Sequence, residues 1–148
     1  LSLRRQRQMC IRDRDLHEVE QRLASWPGYI ILHHIGLFLR TKTLKQRGFK
    51  ALTRLIDRDK IWVKLSAPYN SSQKGLINDP EVADIARALI NWAPERMVWG
   101  TNWPHPEHSD TKPNDFELYQ MFCDWIPERS RRKMILSENP VTLYGLSV

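Results

Sequence analysis

Met97-Val98-Trp99-Gly100-Thr101-Asn102-Trp103-Pro104-His105-Pro106, MVWGTNWPHP, is a short apolar run that stops at a glycine. It then delivers an amide, a tryptophan and a histidine held between two prolines. Polar side chains are costly at the end of a buried strand unless something there uses them. The same change of character occurs twice earlier. Tyr29-Ile30-Ile31-Leu32-His33-His34 is a β-rich run closed by Ile35-Gly36, and Ile61-Trp62-Val63-Lys64-Leu65-Ser66 runs into Ala67-Pro68-Tyr69-Asn70. Three apolar runs that each turn polar at the C-terminal end are the mark of parallel strands whose tips line a site.

The segments between them carry the other period. Leu16, Val19 and Leu23 fall on one helical face within residues 15–25, and Trp26-Pro27-Gly28 ends that helix. Phe49, Leu52, Leu55 and Ile56 predict a helix over about 44–58. After a loop over 67–78, Asp79-Pro80 supplies an N-cap and a first-turn proline. Val82, Ile85, Ala86, Leu89 and Ile90 then follow at helical spacing until Pro94. The third strand is expected over 96–101. A helix near 115–126 should turn Phe116, Tyr119, Phe122 and Ile126 inward, and a last helix over about 128–137 should break at Asn139-Pro140. Strands alternating with helices of ten or more residues give an α/β fold with a parallel sheet. Within the second strand, Ile61, Val63 and Leu65 share one face, and Trp62, Lys64 and Ser66 the other.

The chain has 148 residues, is 41% hydrophobic and 27% charged, and has a formal net charge of +6, a composition that fits one globular domain. The charge comes largely from one string. Residues 4–14 read RRQRQMCIRDR, which matches the translation of a DNA adapter used in preparing sequencing libraries. Residues 1–14 are therefore read as a non-biological scar and set aside from the fold. Without them Lys+Arg falls from 23 to 18 and Asp+Glu from 17 to 16, a net of +2. That leaves no electrostatic demand for nucleic acid or an anionic membrane. Cys10 goes with the scar, and Cys123 alone cannot form an intrachain disulfide, which fits a cytoplasmic protein. No apolar run approaches the roughly 18 residues of a membrane span.

Four blocks in order carry a resemblance: ILHHIG (31–36), WVKLSAPY (62–69), VWGTNWPHP (98–106) and NPVTLYGL (139–146). They resemble the amidohydrolase superfamily, most closely the branch of 2-pyrone-4,6-dicarboxylate lactonase and related TIM-barrel hydrolases. The resemblance implies a (β/α)8 TIM barrel, which takes about 250 residues. Residues 15–148 would be its C-terminal half, ending in the eighth strand.

It also implies roles. His34 matches the family's strand-end histidine, a metal ligand or a group that holds the substrate carbonyl. His33 replaces the usual aspartate and, on the opposite face, is read as a packing or surface residue. Asn102 stands where the family has a catalytic aspartate. An amide can hydrogen-bond a water or a carbonyl, but it neither takes a proton nor binds a cation usefully, so the proton acceptor would move to His34 or His105. His105 should line the pocket, with Lys64 and Ser66 pointing into the barrel and Tyr69 contacting substrate. Asn70 stands where some relatives carry an arginine that grips a carboxylate. Trp99, Trp103 and Trp125 are read as packing, and Arg129, Arg131, Arg132 and Lys133 as a solvated face. His34 is the single metal-ligand candidate; His17 and His108 have no ligand spacing to it. A divalent metal such as zinc would need donors from the full-length protein.

The expected activity is hydrolysis of an ester or lactone of a small anionic metabolite. The alternatives are a metal-dependent decarboxylase of the same superfamily and an inactive barrel that only binds. The expected partner is the small-molecule substrate. A half-barrel also leaves two strand edges open, so the chain alone is expected to be inactive and to self-associate as a homo-oligomer.

Overall fold

The computed structural model describes residues 16–37, 47–59, 61–72, 74–106 and 112–146. The scar expected at 1–14, the start of the helix expected at 44, and His108 lie outside the described residues. Three strands, β1 (Ile30–Leu32), β2 (Ile61–Leu65) and β3 (Met97–Trp99), form a parallel sheet in the order β1-β2-β3. Ile31 pairs with Trp62, and Lys64 with Val98, so one register runs across the sheet. Neighbours in space are neighbours in sequence, as in a barrel wall.

The two faces are unlike. Ile30, Leu32, Ile61, Val63, Leu65 and Met97 belong to the main core, together with residues of α1 (Leu16–Ala24), α2 (Arg47–Ile56), α4 (Pro80–Trp92) and α5 (Asp115–Trp125). Ile31, Trp62 and Val98 form a separate, smaller cluster with Leu143. The strand residues thus alternate as expected, with these four helices on one side and Leu143 of the C-terminal helix on the other. α1 is tied to α2 by Arg54, which donates to both carboxylate oxygens of Glu20 at 2.9 and 2.6 Å. At the head of α4, Asp79 caps the helix by accepting from the Glu81 backbone N–H at 3.0 Å.

Several expectations give way. The strands are shorter than their apolar runs. β1 ends at Leu32 because His34 and Ile35 enter the left-handed region (φ 54° and 56°), where pleated pairing cannot continue. Pro94–Arg96 forms a 3₁₀ turn before β3 rather than part of it. The loop expected after β2 contains a short helix, α3 (Pro68–Ser71).

On α5 the buried face is Leu118, Met121, Phe122 and Trp125, while Phe116 is 63% and Tyr119 40% exposed. The i, i+3, i+4, i+7 set, not the more aromatic one, faces the core. Tyr119 packs edge-on against Trp99 at 5.9 Å.

The chain does not break at Asn139-Pro140. α6 (Arg129–Lys133) passes through a π-helical turn (Met134–Glu138) into α7 (Asn139–Tyr144). Pro140 follows closely on the π-helical turn, where the regular i→i−4 hydrogen-bond ladder is already interrupted. Asn139 is 5% exposed and donates through Nδ2 to the carbonyls of Pro94 and Met97, each at 2.7 Å. It anchors the C-terminal helix to the start of β3. The basic face of α6 is also less free than expected: Arg132 donates to the carbonyls of Ile126 and Pro127, and Arg131 to Asn91.

Candidate active site at the strand ends

All three strands leave the sheet through left-handed, non-glycine residues: His34 and Ile35 after β1, Ala67 (φ 46°) after β2, and Asn102 (φ 75°) after β3. Such residues cost on the order of 1–3 kcal/mol each and persist where surrounding contacts hold them. Here those contacts bring the site candidates together. His34 Nδ1 lies 3.4 Å from Ser66 Oγ, joining the first two strand ends. Ser71 of α3 donates to the His34 carbonyl at 3.0 Å and latches the turn that presents the imidazole. Neither contact could be foreseen from strand alternation, because both follow the break in the strand.

β2 and β3 meet through Lys64 and Gly100. A Cβ on Gly100 would stand 2.9 Å from Lys64 Cε and 3.5 Å from Nζ. The absence of a side chain at 100 therefore lets the lysine lie across the end of β3, which accounts for the glycine that closes the third apolar run. His33 lies close to the same lysine. It does not stand apart from His34 as expected, since the two rings meet edge to face at 5.8 Å. Burial pushes its pKa down to about 4 from an ordinary 6.5, helped by the charge of Lys64 and by His34. At neutral pH His33 is an uncharged ring.

The third strand end joins the second through a chain of hydrogen bonds. Asn102 Nδ2 donates to the Tyr69 hydroxyl at 3.1 Å, and that hydroxyl lies 2.7 Å from His105 Nδ1. His105 Nε2 lies 3.0 Å from Asp115 Oδ1. Tyr69 and His105 are buried, at 3% and 2% exposure, whereas Asp115 reaches solvent at the head of α5. Asp115 was not among the residues singled out by sequence. The cap signature Asn114-Asp115 was the available signal, since Asn114 caps α5 by accepting from Phe116 N–H at 2.8 Å. Nothing in the spacing announced that the next carboxylate would reach His105.

Of the predicted residues, His34 and Ser66 meet, Lys64 lies over Gly100, and Asn102, Tyr69 and His105 form one network. Trp99 and Trp125 pack as expected: Trp99 against Phe122 at 5.3 Å, and Trp125 within the core. Trp103 does not pack, being 77% exposed beside the cis Trp103–Pro104 bond. Among the described residues no three His, Cys, Asp or Glu side chains are grouped to hold a metal ion. No helix among them is long and apolar enough to cross a membrane.

Residues 5–146 match the Amidohydrolase family. The chain is 35% identical over 135 residues to 4-sulfomuconolactone hydrolase of Hydrogenophaga intermedia, covering 88% of this chain and 43% of that protein. It is 37% identical over 119 residues to D-galactarolactone isomerase of Agrobacterium fabrum, covering 79% of this chain and 40% of that protein. An apo crystal structure from Agrobacterium tumefaciens superposes with a TM-score of 0.79 at 35% identity, covering 90% of this chain and 47% of that one. The chain spans less than half the length of these relatives, and its sheet corresponds to part of a TIM-barrel wall. The chain belongs to the amidohydrolase family, in its lactonase-like branch.

Proposed function

We propose that the complete protein carrying this chain hydrolyses the C–O bond of an ester or lactone in a small anionic metabolite. One observation carries this reading: His34, Lys64, Ser66, Tyr69, Asn102 and His105 gather at the C-terminal ends of three adjacent parallel strands. The names of the relatives, a lactone hydrolase and a lactone isomerase, support the substrate class.

In this scheme His34 polarises the carbonyl or positions the water, and Asn102 orients it through its amide. Lys64 offers a cation to a carboxylate or a developing oxyanion. Ser66, Tyr69 and His105 shape and bind. The metal-dependent decarboxylase has less support, because the relatives are named for lactones. His34 is the one strand-end histidine that the family motif offers as a ligand, so this half does not fit a resident metal by itself, and no step is assigned to one.

The test is turnover of a lactone panel by the complete protein and its His34→Ala variant, scored for both hydrolysis and isomerisation. Loss of carbonyl polarisation should lower kcat by about 100-fold. Unchanged turnover would remove His34 from the mechanism. No turnover by the parent protein, with activity appearing in Asn102→Asp, would instead identify an inactive binding barrel.

A further inference from the structure

Asn102 cannot take a proton, yet hydrolysis requires a group that does. The network behind it contains one. With the imidazole of His105 neutral, one tautomer satisfies both neighbours. Nε2–H donates to the Asp115 carboxylate, which only accepts, and Nδ1 accepts from the Tyr69 O–H. The Tyr69 oxygen in turn accepts from Asn102. The donors therefore run in one direction, from amide to phenol to imidazole to carboxylate. The two linked rings and the carboxylate come from separate elements: α3, the turn after β3, and the head of α5. His105 is held at φ 58°, a left-handed conformation that directs the ring between its two partners. Burying a phenol and an imidazole together is costly unless each is hydrogen-bonded, and here each is.

We propose that Tyr69 is the proton-transfer residue of this site, with His105 and Asp115 as positioning residues that act through it. This arrangement rests on the lactonase reading and replaces the carboxylate that position 102 lacks. As the water oxygen bonds to the lactone carbonyl carbon, the water proton passes to the Tyr69 oxygen. The Tyr69 proton moves to His105 Nδ1, and Asp115 faces the resulting imidazolium. The carbonyl electron pair moves onto its oxygen and then returns, breaking the ring C–O bond. The departing oxygen takes a proton from Tyr69, which is restored by His105. Lactone and water give one hydroxy acid, and every enzyme group ends as it began.

The test uses the complete protein. Tyr69→Phe removes the hydroxyl alone and should lower kcat by at least about 100-fold while KM changes less than about threefold. Asp115→Asn, at a half-exposed position, should lower kcat by about tenfold with an unchanged Tm. If Tyr69→Phe does not fold, Asp115→Asn decides the question. A kcat within twofold of the parent in Asp115→Asn, or within threefold in a folded Tyr69→Phe, overturns the relay. Nitrogen-15 NMR of His105 separates this failure from failure of the lactonase reading. A protonated Nε2 with a bare Nδ1, lost in Asp115→Asn, supports the relay whatever the substrate, and the opposite tautomer overturns it. Absence of lactone turnover in the parent sinks the lactonase reading instead.

Discussion

The three strands present two contrasting environments. Toward the helices, Ile61, Val63, Leu65 and Met97 are closed over by apolar side chains from four helices, and none of the four is more than 1% exposed. At the C-terminal tips, two or three residues beyond each strand's end, the backbone turns left-handed, and the tips carry histidines, a lysine, a serine and an amide. Stability should reside in the first environment and chemistry in the second, so mutations should separate the two. A change in the helical layer should remove fold without altering turnover per folded molecule. A change at the tips should do the reverse.

The sharpest break is expected from Phe122→Ala. Phe122 is fully buried on α5. Its truncation should destabilise the complete protein by about 3–5 kcal/mol in denaturant unfolding, with kcat per folded molecule unchanged. A cost under about 1 kcal/mol would mean that α5 is not part of the core. Next comes Asn139→Ala, which leaves the carbonyls of Pro94 and Met97 without their shared donor. A loss of about 1–3 kcal/mol is expected, again without a change in KM. An unaltered unfolding midpoint would contradict the anchoring role of this amide.

At the tips, Gly100→Ala should invert the pattern. The added methyl meets Lys64 Cε at 2.9 Å, and the flexible side chain can move away. Stability should change by less than about 1 kcal/mol, whereas KM for an anionic lactone should rise by about tenfold as the ammonium leaves its place. An unchanged KM would remove Lys64 from binding.

The smallest effect is expected from His33. Its pKa is about 4 in the folded chain and 6.5 ordinarily, so between these values the unfolded chain binds the proton more readily. Stability should be full above about pH 6.5 and decline as the pH falls toward 4. His33→Gln should flatten that decline, measured as unfolding free energy at pH 7 and pH 4.5. Solvent around the half-buried ring reduces the amplitude. Equal slopes in parent and variant would assign the pH response to other groups.

The same contrast explains what could be read in the sequence. Periodicity reports burial, so the helical layer was legible: the α4 stripe from Val82 to Ile90 and the alternation of Ile61, Val63 and Leu65 were both found as expected. Periodicity failed where side chains are chosen by contacts other than the core. Phe116 and Tyr119 are large and apolar but lie on the outer side of α5. Asn139-Pro140 carries the composition of a breaker, yet Pro140 sits where a helix tolerates it and Asn139 bonds inward.

At the tips, residue types singled out residues that lie near one another but not who touches whom. Left-handed turns at 34, 67 and 102 reset side-chain directions, which is why His33 was placed on the wrong side and Ser71 and Asp115 were missed. The family motifs located His34, Asn102 and His105, whereas the partners of those residues required coordinates.

A crystal structure of the complete protein with a bound hydroxy-acid product tests the central claim most directly. The product should lie across the tips of β1, β2 and β3, with its carboxylate within about 3.2 Å of His34 and the Asn102 amide and its hydroxyl group within the same distance of the Tyr69 oxygen. A product bound elsewhere on the barrel, or bound at the tips with Tyr69 and His34 both out of reach, would contradict it.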